Sequence, residues 1–341
     1  MPLSGTLPGR LLRRPLAVAV TLGLLPLSLL SLVACGGDGG VKFFTEFPVP
    51  TANGGVSSIT TGPDGALWFT EEAANKIGRI TTAGVISEFP VPTPNSEPRG
   101  ITTGPDGADL WFTEAYGNKI GRITPAGAIR EFPVSTVNSY PAYITVGPDR
   151  KSLWFTEEAG NKIARITPDG VITEFPVPTA VSYPAGITAG PDGNLWFAEL
   201  NGNQIGRSTP AGVITEFSVP TANSWPTIIT TGPDGALWFT EFEHNANQIG
   251  RISVTGAITE FPVPTATSRP RGITAGPDSA LWFTEMEGNK IARITPAGVI
   301  SEFPFSTTRR VAVGITAGPD GNVWFTETDA NQIGYITPPS P

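Results

Sequence analysis

The sequence contains a single cysteine, a single histidine and two methionines in 341 residues. With only Cys35, no disulfide framework can form. With only His244, no histidine- or cysteine-rich zinc centre can be assembled, and a Ser-His-Asp triad has one imidazole to draw on and no nucleophile elbow. No glycine-rich phosphate loop follows a strand and opens a helix. Charged residues are 15% of the chain. Long helical stretches are missing too: Gly and Pro interrupt every run that keeps a 3.6-residue spacing. The 40 Gly and 35 Pro make up more than a fifth of the chain, against a usual share of roughly 12%. Both break helix interiors. Collagen is excluded because Gly does not recur at every third position. Disorder is excluded by composition: 39% hydrophobic residues, eight Trp and eighteen Phe can build a core. An all-β chain of many short strands remains.

Residues 1–34 read as a leader. Arg10, Arg13 and Arg14 form a basic start, and Leu16 to Leu32 an apolar run broken by Pro26. The run ends Leu32-Val33-Ala34-Cys35-Gly36, which resembles a bacterial lipoprotein signal with Cys35 as the lipidated N-terminus. The plainer alternative is an ordinary secretory signal, or an uncleaved anchor, with an incidental cysteine. The resulting division is a leader (1–34), Cys35 with a Gly-rich tether (35–41), a folded body (42–337) and a short tail (338–341). It implies a lipid-anchored, extracytoplasmic protein of a bacterial envelope. The leader removes three basic residues and no acidic one, leaving 19 Lys and Arg against 30 Asp and Glu. Such an acidic surface argues against nucleic acid as a partner. Membrane contact is expected through the lipid alone, and the chain is expected to be a monomer.

Trp68, Trp111, Trp154, Trp196, Trp238, Trp282 and Trp324 recur every 42 to 44 residues; only Trp225 falls outside the series. The same phrase surrounds each one. A β-branched run such as Ile101-Thr102-Thr103 ends at a Gly-Pro-Asp-Gly turn. Leu110-Trp111-Phe112-Thr113-Glu114 follows, then Lys119 to Thr124, then Ala128 to Phe132, stopped by Pro133. Four short strands in this span make a propeller blade. No Trp-Asp dipeptide occurs, which excludes a WD40 array. Seven copies predict a seven-bladed β-propeller. The last copy stops after its third strand, and the matching fourth-strand phrase, Phe43 to Thr51, lies at the other end of the sequence. The N-terminal strand is therefore expected to complete the last blade and remove the open edge.

Strand order sorts residues by face. If the first strand of each blade descends the channel, the Glu closing each second strand lies at the top: Glu71, Glu114, Glu157, Glu199, Glu241, Glu285 and Glu327. Present in every blade, these are blade-building residues, expected to accept N–H groups of the following turn. The Asn at the start of each third strand suits an unusual dihedral. Positions that differ between blades are better site candidates. Four residues before the first-strand Ile stand Gly55, Glu97, Tyr140, Tyr183, Trp225, Arg269 and Val311. Two before it, Arg99 and Arg271 stand out. Aromatic rings offer flat apolar surface and guanidiniums offer paired donors to carbonyl or carboxylate oxygens. Ordinary loop variation is the competing explanation. His244 lies in a loop two residues longer than its counterparts, and is either a general base or a solvated loop residue. A hard cation held by carboxylates, Glu114 among them, is compatible with the composition.

The phrases Gly62-Pro63-Asp64-Gly65, Leu67-Trp68-Phe69-Thr70-Glu71, Asn75 to Thr81 and Glu88-Phe89-Pro90-Val91-Pro92-Thr93 resemble the virginiamycin B lyase family of streptogramin B lyases. The resemblance spans all seven repeats. It implies a seven-bladed propeller with a top-face site, where a magnesium ion helps open a cyclic depsipeptide by elimination. The family's catalytic phrase is Glu-Pro-His-Gly, followed by the Glu that closes the next strand. Here the best match is Glu97-Pro98-Arg99-Gly100 with Glu114; the second is Arg269-Pro270-Arg271-Gly272 with Glu285. Arg stands at the base position in both, and none of the seven equivalent positions is His. An arginine stays protonated near neutrality and is no ordinary base. The expected function is a surface-anchored propeller binding a small molecule, peptide or envelope partner at its top face. An altered-site enzyme, a magnesium-dependent lyase or a lactonase using Glu97, Glu114, Glu285 or His244, is the alternative. A purely structural envelope component is a third reading.

Overall fold

The computed structural model describes residues 44–305 and 310–339. The leader, Cys35, the tether and residues 340–341 of the tail lie outside the described residues. No helix among the described residues is long and apolar enough to cross a membrane.

Seven four-stranded antiparallel sheets form the ring. Blades one to six span 56–90, 98–133, 141–176, 184–218, 226–262 and 270–304. The seventh is made of Ala312–Ala317, Val323–Glu327 and Gln332–Ile336, with the N-terminal strand Phe44–Pro48 on its outer edge. The expected closure is therefore present. The register runs from Phe44 opposite Ile336 to Pro48 opposite Gln332.

The second strand explains why the sequence repeats so strictly. All five residues of Leu67–Glu71 are buried, because this strand lies inside its blade and between two neighbouring blades. Trp68 donates its indole N–H to Asp64 of the preceding turn at 3.0 Å and stacks on Phe89 of the fourth strand, with centroids 5.5 Å apart. Fully burying such a ring contributes about 2–3 kcal/mol. Gly84, at φ 86°, turns the chain between third and fourth strands, and a Cβ there would sit 2.1 Å from Phe47 of the adjoining blade. The fourth strand, Ile86–Pro90, forms the rim, half-buried at Ile86, Glu88 and Phe89 and exposed at Ser87 and Pro90.

Neighbouring blades are fastened at the top by one device. Asn75, at φ 57°, donates to Val91 O and Thr93 O at 3.2 and 2.9 Å, and accepts from Ser96 N at 2.7 Å. The crossover to the next blade is thus fixed by one side chain, and an Asn holds the same positive φ in every blade. Glu88 accepts from Lys76 at 2.7 Å and from Thr51 N, on the crossover from the last blade, at 2.9 Å. In blade seven Arg310 takes this role, meeting Glu46 at 3.1 Å and Glu327 at 2.5 Å.

Candidate functional site at the channel mouth

The top of the channel is lined by residues that the crossovers force into the left-handed region. Glu97, Tyr140, Tyr183, Trp225 and Arg269 all have φ between 53° and 57°. Blade one has Gly55 there. Each of the five carbonyls accepts the N–H of the residue following a second-strand Glu: Ala115, Glu158, Leu200, Phe242 and Met286, at 3.0 to 3.2 Å. A non-Gly residue at positive φ costs of order 1–3 kcal/mol, and such strain concentrates at functional sites. The first strands then descend through a register shift, as between Pro98 and Ile101.

Two clusters of side chains form. In the first, Arg99 of blade two donates to Glu158 of blade three at 3.0 Å, with Glu72 at 3.9 Å and Glu97 at 4.0 Å. The Tyr140 ring lies 5.1 Å from the guanidinium, and its hydroxyl donates to Glu97 at 2.8 Å. Tyr116 meets Tyr140 edge-on at 5.3 Å. Burial opposes the charge on Arg99, but Tyr143, Glu158 and Glu72 more than offset it and hold the group above its ordinary range. Burial also pushes Glu158 upward, with Arg99 pulling against it. The Tyr140 phenol is raised by burial, despite Arg99, and by its bond to Glu97.

In the second cluster, Arg269 donates to Glu287 at 2.8 Å and lies 4.1 Å from the Phe242 ring. His244 joins the other oxygen of Glu287 at 2.9 Å. Arg269 first and His244 second hold the Glu287 carboxyl low. Arg271 points at the Met286 sulfur, 3.6 Å away. His244 is thus tied to the rim beside blade six, about two-fifths exposed. Tyr183 and Trp225 stand at the rim, 39% and 38% exposed.

The second-strand glutamates are elsewhere. Glu71, Glu114, Glu157, Glu199, Glu241, Glu285 and Glu327 have no exposed surface. The alternation of the strand turns Glu71 into the blade interface and Glu72 towards the mouth. The expected bonds to turn N–H groups are absent, because crossover carbonyls take those donors: Tyr116 N and Gly117 N both reach Ser96 O. Both carboxyl oxygens of Glu114 and of Glu285 lack a partner of good hydrogen-bond geometry. Burial, then the facing fourth-strand carboxylate, raises Glu114 and Glu285 to about 8. Glu114 and Glu285 therefore do not line the mouth. Sequence reasoning missed Glu72, Glu158, Phe242 and Met286. They occupy the position after the repeated Glu, which varies between blades as the other ring positions do.

The mouth does not suit a divalent cation. Three carboxylates there, Glu72, Glu97 and Glu158, are turned to the Arg99 guanidinium, whose positive charge opposes a second cation among them. Among the described residues no group of three His, Cys, Asp or Glu is arranged to hold one. At the other end of the channel a cavity of about 710 Å³ is lined by Thr60, Thr102, Thr103, Val146, Arg150 and neighbouring turn residues.

The virginiamycin B lyase family model matches residues 37–245 and again 150–340. This chain belongs to the virginiamycin B lyase family. The virginiamycin B lyase of Staphylococcus aureus is 43% identical over 87% of this chain and 100% of that one, with a TM-score of 0.83. A catalytically inactive His→Ala variant of the S. aureus enzyme, solved with quinupristin, matches at 42% identity over 87% of this chain and 100% of its own, with a TM-score of 0.82. The hydrazine synthase of Kuenenia stuttgartiensis, at 15% identity over 85% of this chain and 97% of that one, with a TM-score of 0.70, shares the fold alone.

Proposed function

We propose that this propeller is an envelope-anchored, ligand-binding member of its family that does not perform the elimination. The observation that carries this reading is Arg99 locked to Glu158, with Glu72 and Glu97 around it, at a position where the resemblance implies a histidine. Removing a proton beside a carbonyl needs an unprotonated base within hydrogen-bond reach. Arg99 is held firmly protonated, and His244 is occupied by Glu287 at the rim. What the mouth offers is recognition: guanidinium donors, carboxylate acceptors and the rings of Tyr140, Tyr183, Trp225 and Phe242. That set suits a peptide or another carbonyl-rich molecule with aromatic groups. The quinupristin bound to the S. aureus variant makes a cyclic peptide of that type the first probe.

Calorimetric titration with quinupristin, with and without magnesium, followed by chromatography of the mixture, tests the proposal. Binding with the ring intact is expected. Enzyme-dependent ring opening overturns it. The second reading is a lyase with a substituted base. It draws on 43% identity to a lyase along that enzyme's whole length and on Glu158, a mouth carboxyl raised by burial. Ring opening lost in Glu158→Gln would establish that alternative, and dependence on added magnesium would show that a cation is recruited despite Arg99.

A further inference from the structure

The direction of the closing strand sets the end of the propeller at which the N-terminal tether joins it. Phe44 pairs with Ile336 at the end of the last third strand, and Pro48 pairs with Gln332 at its start. Third strands begin beside the buried Glu, at the mouth end, and finish at the opposite end. The chain therefore enters the propeller at the lower edge of blade seven and climbs towards the mouth. Nine residue steps separate Phe44 from Cys35, a contour of at most about 32 Å.

We infer that the lower face of the propeller rests against the lipid surface and that the mouth opens away from it. The inference depends on the anchoring of Cys35 contained in the proposed function. A strand of five residues and its turns stand roughly 20 Å tall. Turning the mouth to the bilayer would use most of the tether to climb the outside of blade seven. With the lower face down the same length is slack. Apolar surface does not decide between the faces, since Tyr116, Val137, Val181, Tyr183 and Trp225 are exposed on the mouth side; the lower rim offers a bilayer four valines. Val85, Val171, Val213 and Val299 project there from the turns between third and fourth strands, each 61–65% exposed. Four acids of that face are neutralised by ion pairs: Asp64, Asp109, Asp234 and Asp278 meet Arg79, Arg122, Arg251 and Arg293 at 2.5–2.7 Å. The exposed rings of Tyr183 and Trp225 then face outward, where a soluble ligand arrives.

The full chain, made with its leader and reconstituted in phosphatidylcholine vesicles carrying a lipid-borne quencher, tests this. Once Cys35 carries lipid, a cysteine introduced by Val213→Cys or Val137→Cys is the only free thiol and takes a fluorophore. Val213 is on the lower rim and Val137 on the mouth-side crossover, 65% and 81% exposed. Quenching several-fold stronger at position 213 is expected. Equal quenching, or stronger quenching at 137, overturns the orientation while co-sedimentation with vesicles still supports the anchor. A Cys35→Ser chain that sediments with vesicles as the wild type does overturns the anchor, and the orientation with it.

Discussion

Phe47 stacks on Trp324 with ring centroids 5.9 Å apart and planes 13° from parallel. In blades one to six the same pair comes from one continuous blade, as with Trp111 and Phe132 at 5.4 Å. In blade seven the partners are 277 residues apart, so the contact forms only when the ring closes. Phe47→Ala is expected to cost about 3 kcal/mol, as for other buried aromatic truncations. It should also expose the edge of Gln332–Ile336 to pairing with other chains. Urea denaturation measures the first effect and light scattering on heating the second. An unchanged denaturation midpoint would refute the role given to this strand.

The fold was legible because its determinants repeat. Trp, Gly-Pro-Asp and Asn recur once per blade; every one of the seven Trp stacks on a fourth-strand Phe, and every Asn holds the same positive φ. The site was legible only in part. Glu97, Arg99 and Tyr140 converge as their spacing implied, and so do Arg269 and Arg271. Glu114 and Glu285 were misplaced at the mouth, because position along a strand does not say which side chain faces the channel. The pairing of Arg99 with Glu158 joins residues 59 apart in different blades. Nothing local in the sequence encodes that distance.

Arg99 is expected to hold the mouth together more tightly at pH 7 than at pH 5. Arg99→Met leaves Glu72, Glu97 and Glu158 facing one another without a cation. Removing one partner of a largely buried ion pair costs about 3 kcal/mol or more, less where solvent reaches the pair. Glu158 has its pKa raised, first by burial, so it takes up a proton readily as the pH falls. The penalty of the substitution should therefore shrink at pH 5. Equal penalties at the two pH values, from parallel urea titrations, would argue against a charged Glu158 at neutrality.

The seven buried glutamates predict an unusual pH dependence. Burial raises Glu71, Glu157 and Glu327 to about 7 and Glu114, Glu199, Glu241 and Glu285 to about 8. An acid whose folded pKa is raised binds more protons folded than unfolded. Its stabilisation is complete below the unfolded value, near 4.5, and is lost as pH rises through 7 to 8. The opposite holds for Glu88, Glu131, Glu174 and Glu302: burial pulls their pKa values up, but hydrogen bonds from Lys and Thr outweigh it and lower them. They stabilise above the unfolded value and lose that as pH falls. The melting temperature should peak near pH 5 and decline towards pH 8. Glu114→Gln should flatten the decline by up to about 1.4 kcal/mol per pH unit. A melting temperature constant between pH 5 and 8 would contradict this.

Tyr183 and Trp225 should trade stability against recognition. Both hold φ near 54° and expose more than a third of their surface, and neither side chain forms a hydrogen bond among the described residues. Their cost is backbone strain, which Gly avoids at the same φ, and blade one already has Gly55 there. In Tyr183→Gly and Trp225→Gly, relief of about 1–3 kcal/mol of strain opposes the loss of a side chain about three-fifths buried, worth about 2–3 kcal/mol, so the fold should stay within about 1 kcal/mol of wild-type stability. Tyr140→Gly should behave differently, because it removes the bond to Glu97 and the ring beside Arg99. A fall in stability is expected there. If the rings serve recognition, quinupristin affinity should drop at least several-fold in Tyr183→Gly and Trp225→Gly while their melting curves hold. Thermal denaturation and calorimetric titration of the same samples separate the two effects. A Trp225→Gly protein that melts well below the wild type would make the ring a packing element. One that melts normally and binds normally would place the ligand elsewhere on the propeller.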